Sequence, residues 1–402
     1  MCSQNKTGRN SIKGTTDRGR KLLLMVSSVL VTLVALELGA RLWIGYLAGE
    51  RQFLKYASLK QLGKRSDIRP RYTPHRYMGY CLTPNYAKGQ NRHNSLGFRS
   101  DEITIPKPEG QFRIVCLGGS TTYTTDVDDY RMSYPNLLEK ELKERGNTNV
   151  RVINAGVGAW TSWESLINFE FRILDLEPDM IIVYHAVNDL LSRFVWPSEA
   201  YRGDNSGAIS PLTMSMPSIL EYSTLMRYAM IKAGLVKSHS SMDRHMAARP
   251  DTYRATEFHE QNVKQTYPDG IFRQVRASQM IASNPPIYFR RNLENMVIIA
   301  KHNGIQTILA TFAHSPKFTK VPLVSSPECA AAYTEMNETL RSIAQDLNVH
   351  LFDFAALFPS DKRYYTDGVH VNAEGVKLKA KLFADYLCDN RLIPILREPN
   401  EP

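Results

Sequence analysis

From residue 111 onward the chain alternates short apolar runs with longer segments whose apolar positions recur every three or four residues. The runs Phe112–Leu117, Val150–Asn154, Met180–Tyr184, Thr307–Ala313 and Val349–Phe354 are rich in β-branched and aromatic residues. Near-continuous apolar runs of this kind predict strands covered on both faces. Between or after them lie YPNLLEKELKER, TSWESLINFEFRIL, RRNLENMVIIAKHNG, AAAYTEMNETLRSIAQDL and AEGVKLKAKLFADYL, each with helical spacing. Strand-helix alternation predicts parallel pairing through crossover helices, so residues 111–390 are expected to form a three-layer α/β/α sandwich around a five-stranded parallel sheet. Residues 195–285 break the rhythm after the third strand with polar, proline-punctuated sequence. An insertion of that length is long for a plain connection and is expected to be a lid or binding element. Its Trp196, Tyr201, Arg202, Tyr222 and Arg227 would suit an extended polar or glycan-like substrate. Residues 391–402 read as a C-terminal tail.

A different pattern occupies the N-terminal end. Leu22–Leu36 is uncharged and apolar, and Leu38–Tyr46 continues it with only Glu37 and Arg41 interrupting. Four residues apart, those two share a helix face and can pair. Residues 22–46 are long enough to cross a bilayer, and Trp43 and Tyr46 would sit at its interface. A cleaved signal peptide has an apolar stretch of similar length, but no A-x-A site follows, which favours an uncleaved signal anchor. The tail at 1–21 carries six basic residues and the segment just after the span carries five. The positive-inside rule therefore separates the two sides little, and the short basic tail before the first apolar segment favours an extracytoplasmic main domain. Residues 47–110, rich in Arg, Lys, Tyr and Pro, are expected to be a semi-ordered stalk and collar.

Charge sharpens this division. The net charge of +10 splits into 19 Lys/Arg against 7 Asp/Glu in residues 1–110 and 31 against 33 in residues 111–402. A nearly neutral main domain argues against a nucleic-acid enzyme, which needs a basic groove there. Of five cysteines, Cys81, Cys116, Cys329 and Cys388 follow the apolar span, and their number permits disulfides without requiring them.

In an open parallel sheet the residues just beyond the strand C-termini line the ligand crevice. Here those residues are GGSTT, NAGVGAWTS, HAVNDL and FAHSP, with YYTDGVHVNAEG after the fifth strand. Asp367 and His370, three apart at a helix entrance, can form a pair in which the carboxylate fixes the imidazole tautomer. Asn188 offers an amide donor of the kind oxyanion stabilisation needs, and Ser120 offers a hydroxyl at a tight turn. Each residue alone has a plainer reading: Ser120 as a turn residue, Asn188 as a helix cap, His370 as a histidine satisfied by Asp367. His185 and His314 at strand ends are expected to be structural or substrate-lining, and Trp160 and Trp163 to pack the second helix. His239, His245 and His259 lack metal-ligand spacing, so neither a metal nor a cofactor is expected.

Together these blocks resemble the SGNH hydrolases, or GDSL-type esterases, over residues 111–390. The resemblance rests on G-G-S-T-T at Gly118–Thr122, N-A-G-V-G-A-W-T-S at Asn154–Ser162, V-N-D at Val187–Asp189 and D-G-V-H at Asp367–His370. It implies a flavodoxin-like sheet, Ser120 as nucleophile, His370 as base and Asp367 as its orienter. The oxyanion donors it implies are the N–H of Ser120, that of Gly158 or Ala159, and the Asn188 side chain. Ala159 and Ala186 stand where the family usually has glycine, and Gly119 stands where the family name implies aspartate. With an anchor that places this domain outside the cytoplasm, the expected substrate is an acylated glycan or lipid of the cell envelope or export route. Transfer to a glycan hydroxyl and a silent glycan-binding scaffold are the alternatives.

Overall fold

The computed structural model describes residues 11–64, 70–204, 222–236, 238 and 253–394. The chain forms two compact units, Met1–Pro70 with Met214–Ser241, and Arg71–Thr213 with Met242–Pro402.

In the larger unit, two small antiparallel hairpins come first: β1 (Tyr72–His75) with β2 (Gly79–Leu82), and β3 (Ala87–Lys88) with β4 (Asn91–Arg92). The main sheet follows as β5 (Phe112–Gly118), β6 (Val150–Asn154), β7 (Met180–Tyr184), β8 (Gln306–Ala310) and β9 (His350–Phe352). Its order is β6-β5-β7-β8-β9 and every pair is parallel. Ile114–Leu117 and Met180–Val183 are fully buried, as strands covered by helices on both faces must be. The fourth strand is shorter than its apolar run suggests. Beyond Ala310 the Asn337 side chain takes over, accepting from the Phe312 N–H (2.7 Å) and donating to its carbonyl (3.1 Å).

The insertion leaves and re-enters the sheet layer at one point. Asn284 donates to the carbonyls of Arg193 and Val195, both at 2.8 Å, and Arg193 returns a bond to the Asn284 carbonyl at 2.7 Å. Two of its residues expected to face substrate have other partners. Arg227 is buried, with its guanidinium on the carbonyls of Tyr56 and Ala57, and Tyr222 gives its carbonyl to Arg41. The cause is that the Thr224–Lys232 helix belongs to the smaller unit. Residues 71–98 fold onto the larger unit beside the residues that follow β5 and β6. Met78, Tyr80 and Leu82 share a cluster with Tyr123, Val157 and Trp160. No rhythm announces these hairpins, because strands of two to four residues are too short to show a period. All four described cysteines are free thiols.

His93 ties this collar to the residues after Ser120. Its Nδ1 lies 3.0 Å from the Thr83 carbonyl, an acceptor only, so the proton sits there; Nε2 lies 3.0 Å from the Tyr123 hydroxyl, which is also 3.0 Å from Asn91 Oδ1. Burial, with Arg71 and Arg99 nearby, lowers its pKa from 6.5 to about 4. A folded-state pKa below the unfolded one means that stability is lost as pH falls from about 6.5 towards 4. The loss from this group approaches roughly 3 kcal/mol. Chemical denaturation at a series of pH values should show His93→Gln losing less stability over that interval than the parent; equal slopes would contradict this assignment.

In the smaller unit, Ser11–Leu42 is one helix, continued by Trp43–Leu47. The stretch Gly19–Leu47 is long and apolar enough to cross a membrane; its apolar 18-residue window has mean hydropathy 2.3 and is not buried, which makes the stretch a candidate anchor.

Candidate active site

The order of the sheet reverses at β5, which lies between β6 and β7, and ligands of open α/β sheets bind beyond the strand ends at such a point. Gly118 ends β5 there, and Ser120–Tyr123 makes one helical turn whose Thr122 and Tyr123 amides bond back to the Gly119 carbonyl. Gly119 passes so close to its neighbours that a Cβ would lie 2.8 Å from Asn188 Nδ2 and 3.2 Å from the Trp160 carbonyl. An aspartate at this position would therefore push on Asn188 itself.

After β9 the chain turns back on itself at residues 365–371. Thr366 N–H donates to the His370 carbonyl (2.8 Å), and Tyr365 pairs with Val371. At the tip, Asp367 Oδ1 accepts the backbone N–H groups of Val369 (3.0 Å) and His370 (2.8 Å), while Oδ2 accepts His370 Nδ1–H at 2.7 Å. Burial alone would raise the Asp367 pKa, but the ring and backbone donors hold it below the ordinary carboxylate value. His370 Nδ1 is thus the protonated nitrogen. Nε2 faces Ser120 Oγ at 2.7 Å, across 250 residues of sequence. Gly368 makes the turn possible: its φ is +92°, and a Cβ there would meet the Ser315 carbonyl and Val324 at 2.8 Å.

Asn188 lies in the short Val187–Leu191 helix after β7 and donates one amide hydrogen to the Trp160 carbonyl at 2.8 Å, leaving its second for another acceptor. Its neighbour Asp189 binds the second block to the third, accepting the Ser162 N–H (2.9 Å) and hydroxyl (2.5 Å). Burial raises the Asp189 pKa to about 7 against the pull of these bonds. Tyr80 donates its hydroxyl to the Gly158 carbonyl (2.6 Å). Ala159 takes φ +63°, the left-handed region in which an alanine costs about 1 kcal/mol.

The structure thus brings Ser120, His370 and Asp367 into one hydrogen-bonded row, with Asn188 beside Gly119. His185 stands apart: it is buried, 2.8 Å from Ser165 Oγ, and burial lowers its pKa to about 3. His314 packs on the Tyr333 ring, 4.6 Å between centroids. Trp160 is fully buried and donates to the Tyr80 carbonyl. His239 and His245 lie outside the described residues. Among the described residues no three metal-binding side chains cluster.

Sequence reasoning missed Arg99. Its fully buried guanidinium donates to the carbonyls of Tyr123 (2.6 Å), Thr124 (3.0 Å), Val127 and Asp128 (3.1 Å), fixing the loop that follows Ser120's turn. Nothing distinguishes it in sequence from the other arginines of its segment, since apart from Asn91 Oδ1 (3.1 Å) its partners are backbone carbonyls brought up by the fold.

Residues 116–378 match the GDSL-like Lipase/Acylhydrolase family, and all four blocks fall within that stretch. The chain belongs to that family. No curated protein matches this family member. Among solved structures it is similar to the lipase/acylhydrolase from Enterococcus faecalis (15% identity, TM-score 0.40, covering 70% of this chain and 97% of that one). It is also similar to the psychrotrophic esterase EstA from Pseudoalteromonas sp. (13%, TM-score 0.40, 70% and 99%). A third is the acetyl xylan esterase AlAXEase (14%, TM-score 0.39, 69% and 100%). This GDSL-like acylhydrolase is an enzyme, and its substrates are esters.

Proposed function

We propose that the chain is a serine esterase that removes a short acyl group, such as O-acetyl, from a glycan or lipid of the cell envelope or export route. The observation that carries this reading is the unbroken row Asp367 Oδ2, His370 Nδ1, His370 Nε2, Ser120 Oγ, with 2.7 Å at each of its two hydrogen bonds. In that row His370 Nε2 is the acceptor that Ser120 needs as it loses its proton. Ser120 Oγ bonds to the ester carbonyl carbon, and its proton passes to Nε2. The oxyanion is held by the second Asn188 amide hydrogen and the Ser120 N–H. Collapse releases the alcohol, which takes the proton from His370, and leaves an acyl-serine. A water activated by the same nitrogen then returns the acid and the free serine.

The envelope assignment rests on the apolar N-terminal helix, which after a short basic tail would hold the catalytic unit outside the cytoplasm. Turnover of p-nitrophenyl acetate by the full-length chain in detergent tests the reaction. Saturable hydrolysis well above the uncatalysed rate is expected, and a folded chain with no turnover above that rate would overturn it.

A further inference from the structure

Glu37 and Arg41 are anomalous in the candidate anchor. An α-helix rises about 1.5 Å per residue, which puts Glu37 roughly 9 Å further into the span than Trp43. A carboxylate at that depth facing lipid is costly. In the structure it faces the insertion. Glu37 accepts the N–H groups of Thr224 and Leu225 and the Ser223 hydroxyl, each at 2.9 Å. Arg41 pairs with Glu37 at 2.6 Å and donates to the Tyr222 carbonyl at 2.7 Å. These amides belong to the first turn of the Thr224–Lys232 helix, whose N–H groups have no partners within that helix. Seven residues further along both helices, Ile44 and Ile231 share a buried cluster with Phe53, Tyr56 and Ala57. The Trp43 and Tyr228 rings meet edge to face at 5.7 Å. The two helices therefore run side by side in the same direction from Glu37 to Ile44. Met226 of the second helix is exposed, as are Tyr222 just before it and Leu235 just after it.

We propose that residues 222–236 form a second membrane-contacting element, a short helix held in the interfacial layer beside the last turns of an uncleaved anchor by the Glu37 carboxylate. The occupant of its apolar side is lipid. The anchor packed beside it exposes apolar side chains as well, and the helix is fixed to Trp43, an aromatic of the type that marks interface depth. A backbone entering apolar surroundings must have its polar groups satisfied, and Glu37 supplies the acceptors for this helix's first turn. A cleaved signal peptide would have no reason to hold a helix nearly two hundred residues downstream.

The test uses the full-length chain in vesicles of phosphatidylethanolamine and phosphatidylglycerol, with Ser120→Ala throughout so that catalysis plays no part. Met226→Cys, in a chain whose Cys2, Cys81 and Cys388 are serine, is labelled with an environment-sensitive nitrobenzoxadiazole and compared with Glu338→Cys on the catalytic unit. Blue-shifted emission quenched by spin-labelled lipid at position 226, and neither effect at 338, is expected. Equal, unquenched emission at both would overturn the lipid contact. Glu37→Leu makes the span more apolar yet should speed tryptic cleavage after Arg227 and Lys232 roughly tenfold, with vesicle retention unchanged and Glu37→Gln closer to the parent. An unchanged cleavage rate, or a mature chain beginning beyond residue 47, would overturn the Glu37 assignment.

Discussion

Replacing Ser120 or His370 by alanine is expected to lower kcat for a short-chain aryl ester by about 10³-fold or more each, and the double variant should fall little further. The two act as one unit. Without Oγ there is nothing to acylate, and without Nε2 at 2.7 Å the hydroxyl has no acceptor for its proton. Asp367→Asn should lie close to these, because an amide in place of Oδ2 can present a donor to Nδ1 and turn the ring to the wrong tautomer. Stopped-flow release of p-nitrophenol measures all three. Strictly additive losses, or a Ser120→Ala variant near parental turnover, would contradict the assignment of the row. Thermal denaturation should separate chemistry from folding, since Ser120 is only half-buried and its loss should leave the midpoint nearly unchanged.

Asn188→Ala carries the second large effect. One amide hydrogen of Asn188 fixes the Trp160 carbonyl and so fixes the direction of the other. If that second hydrogen meets the oxyanion, its removal costs about 10²–10³-fold in kcat with KM little changed, because the bond strengthens only as charge develops. A rise in KM at constant kcat would show Asn188 holding the ground-state substrate. Asn188→Asp separates geometry from charge: it keeps the shape but puts a carboxylate where negative charge must form, and should be as damaging as alanine. Near-parental activity in that variant would remove Asn188 from the oxyanion site.

Much of this architecture was legible in the sequence. Each of the five apolar runs became a strand, and the four blocks at strand ends converged on the point where the sheet order reverses. Local pattern sufficed there because strands buried on both faces leave continuous apolar runs. Asp367 and His370 also belong to one turn, so their spacing carries their geometry. Other features were hidden for equally physical reasons. Arg99 binds carbonyls, which every residue has, so no side-chain motif marks it. Gly119 stands where the family name implies aspartate, and only the approach of Asn188 in the fold shows how little space remains there for a side chain. The bond from Ser223 to Glu37 spans 186 positions, beyond the reach of periodicity, as do the bonds that the Tyr222 carbonyl and the Arg227 guanidinium make with the N-terminal segment.

The central claim is that Ser120 is the nucleophile, and active-site labelling tests it most directly. The full-length chain should react with a fluorophosphonate at one serine, located by peptide mass at Ser120. Labelling should vanish in Ser120→Ala and slow sharply in His370→Ala. A label that persists in Ser120→Ala, or one found on another serine, would contradict the account.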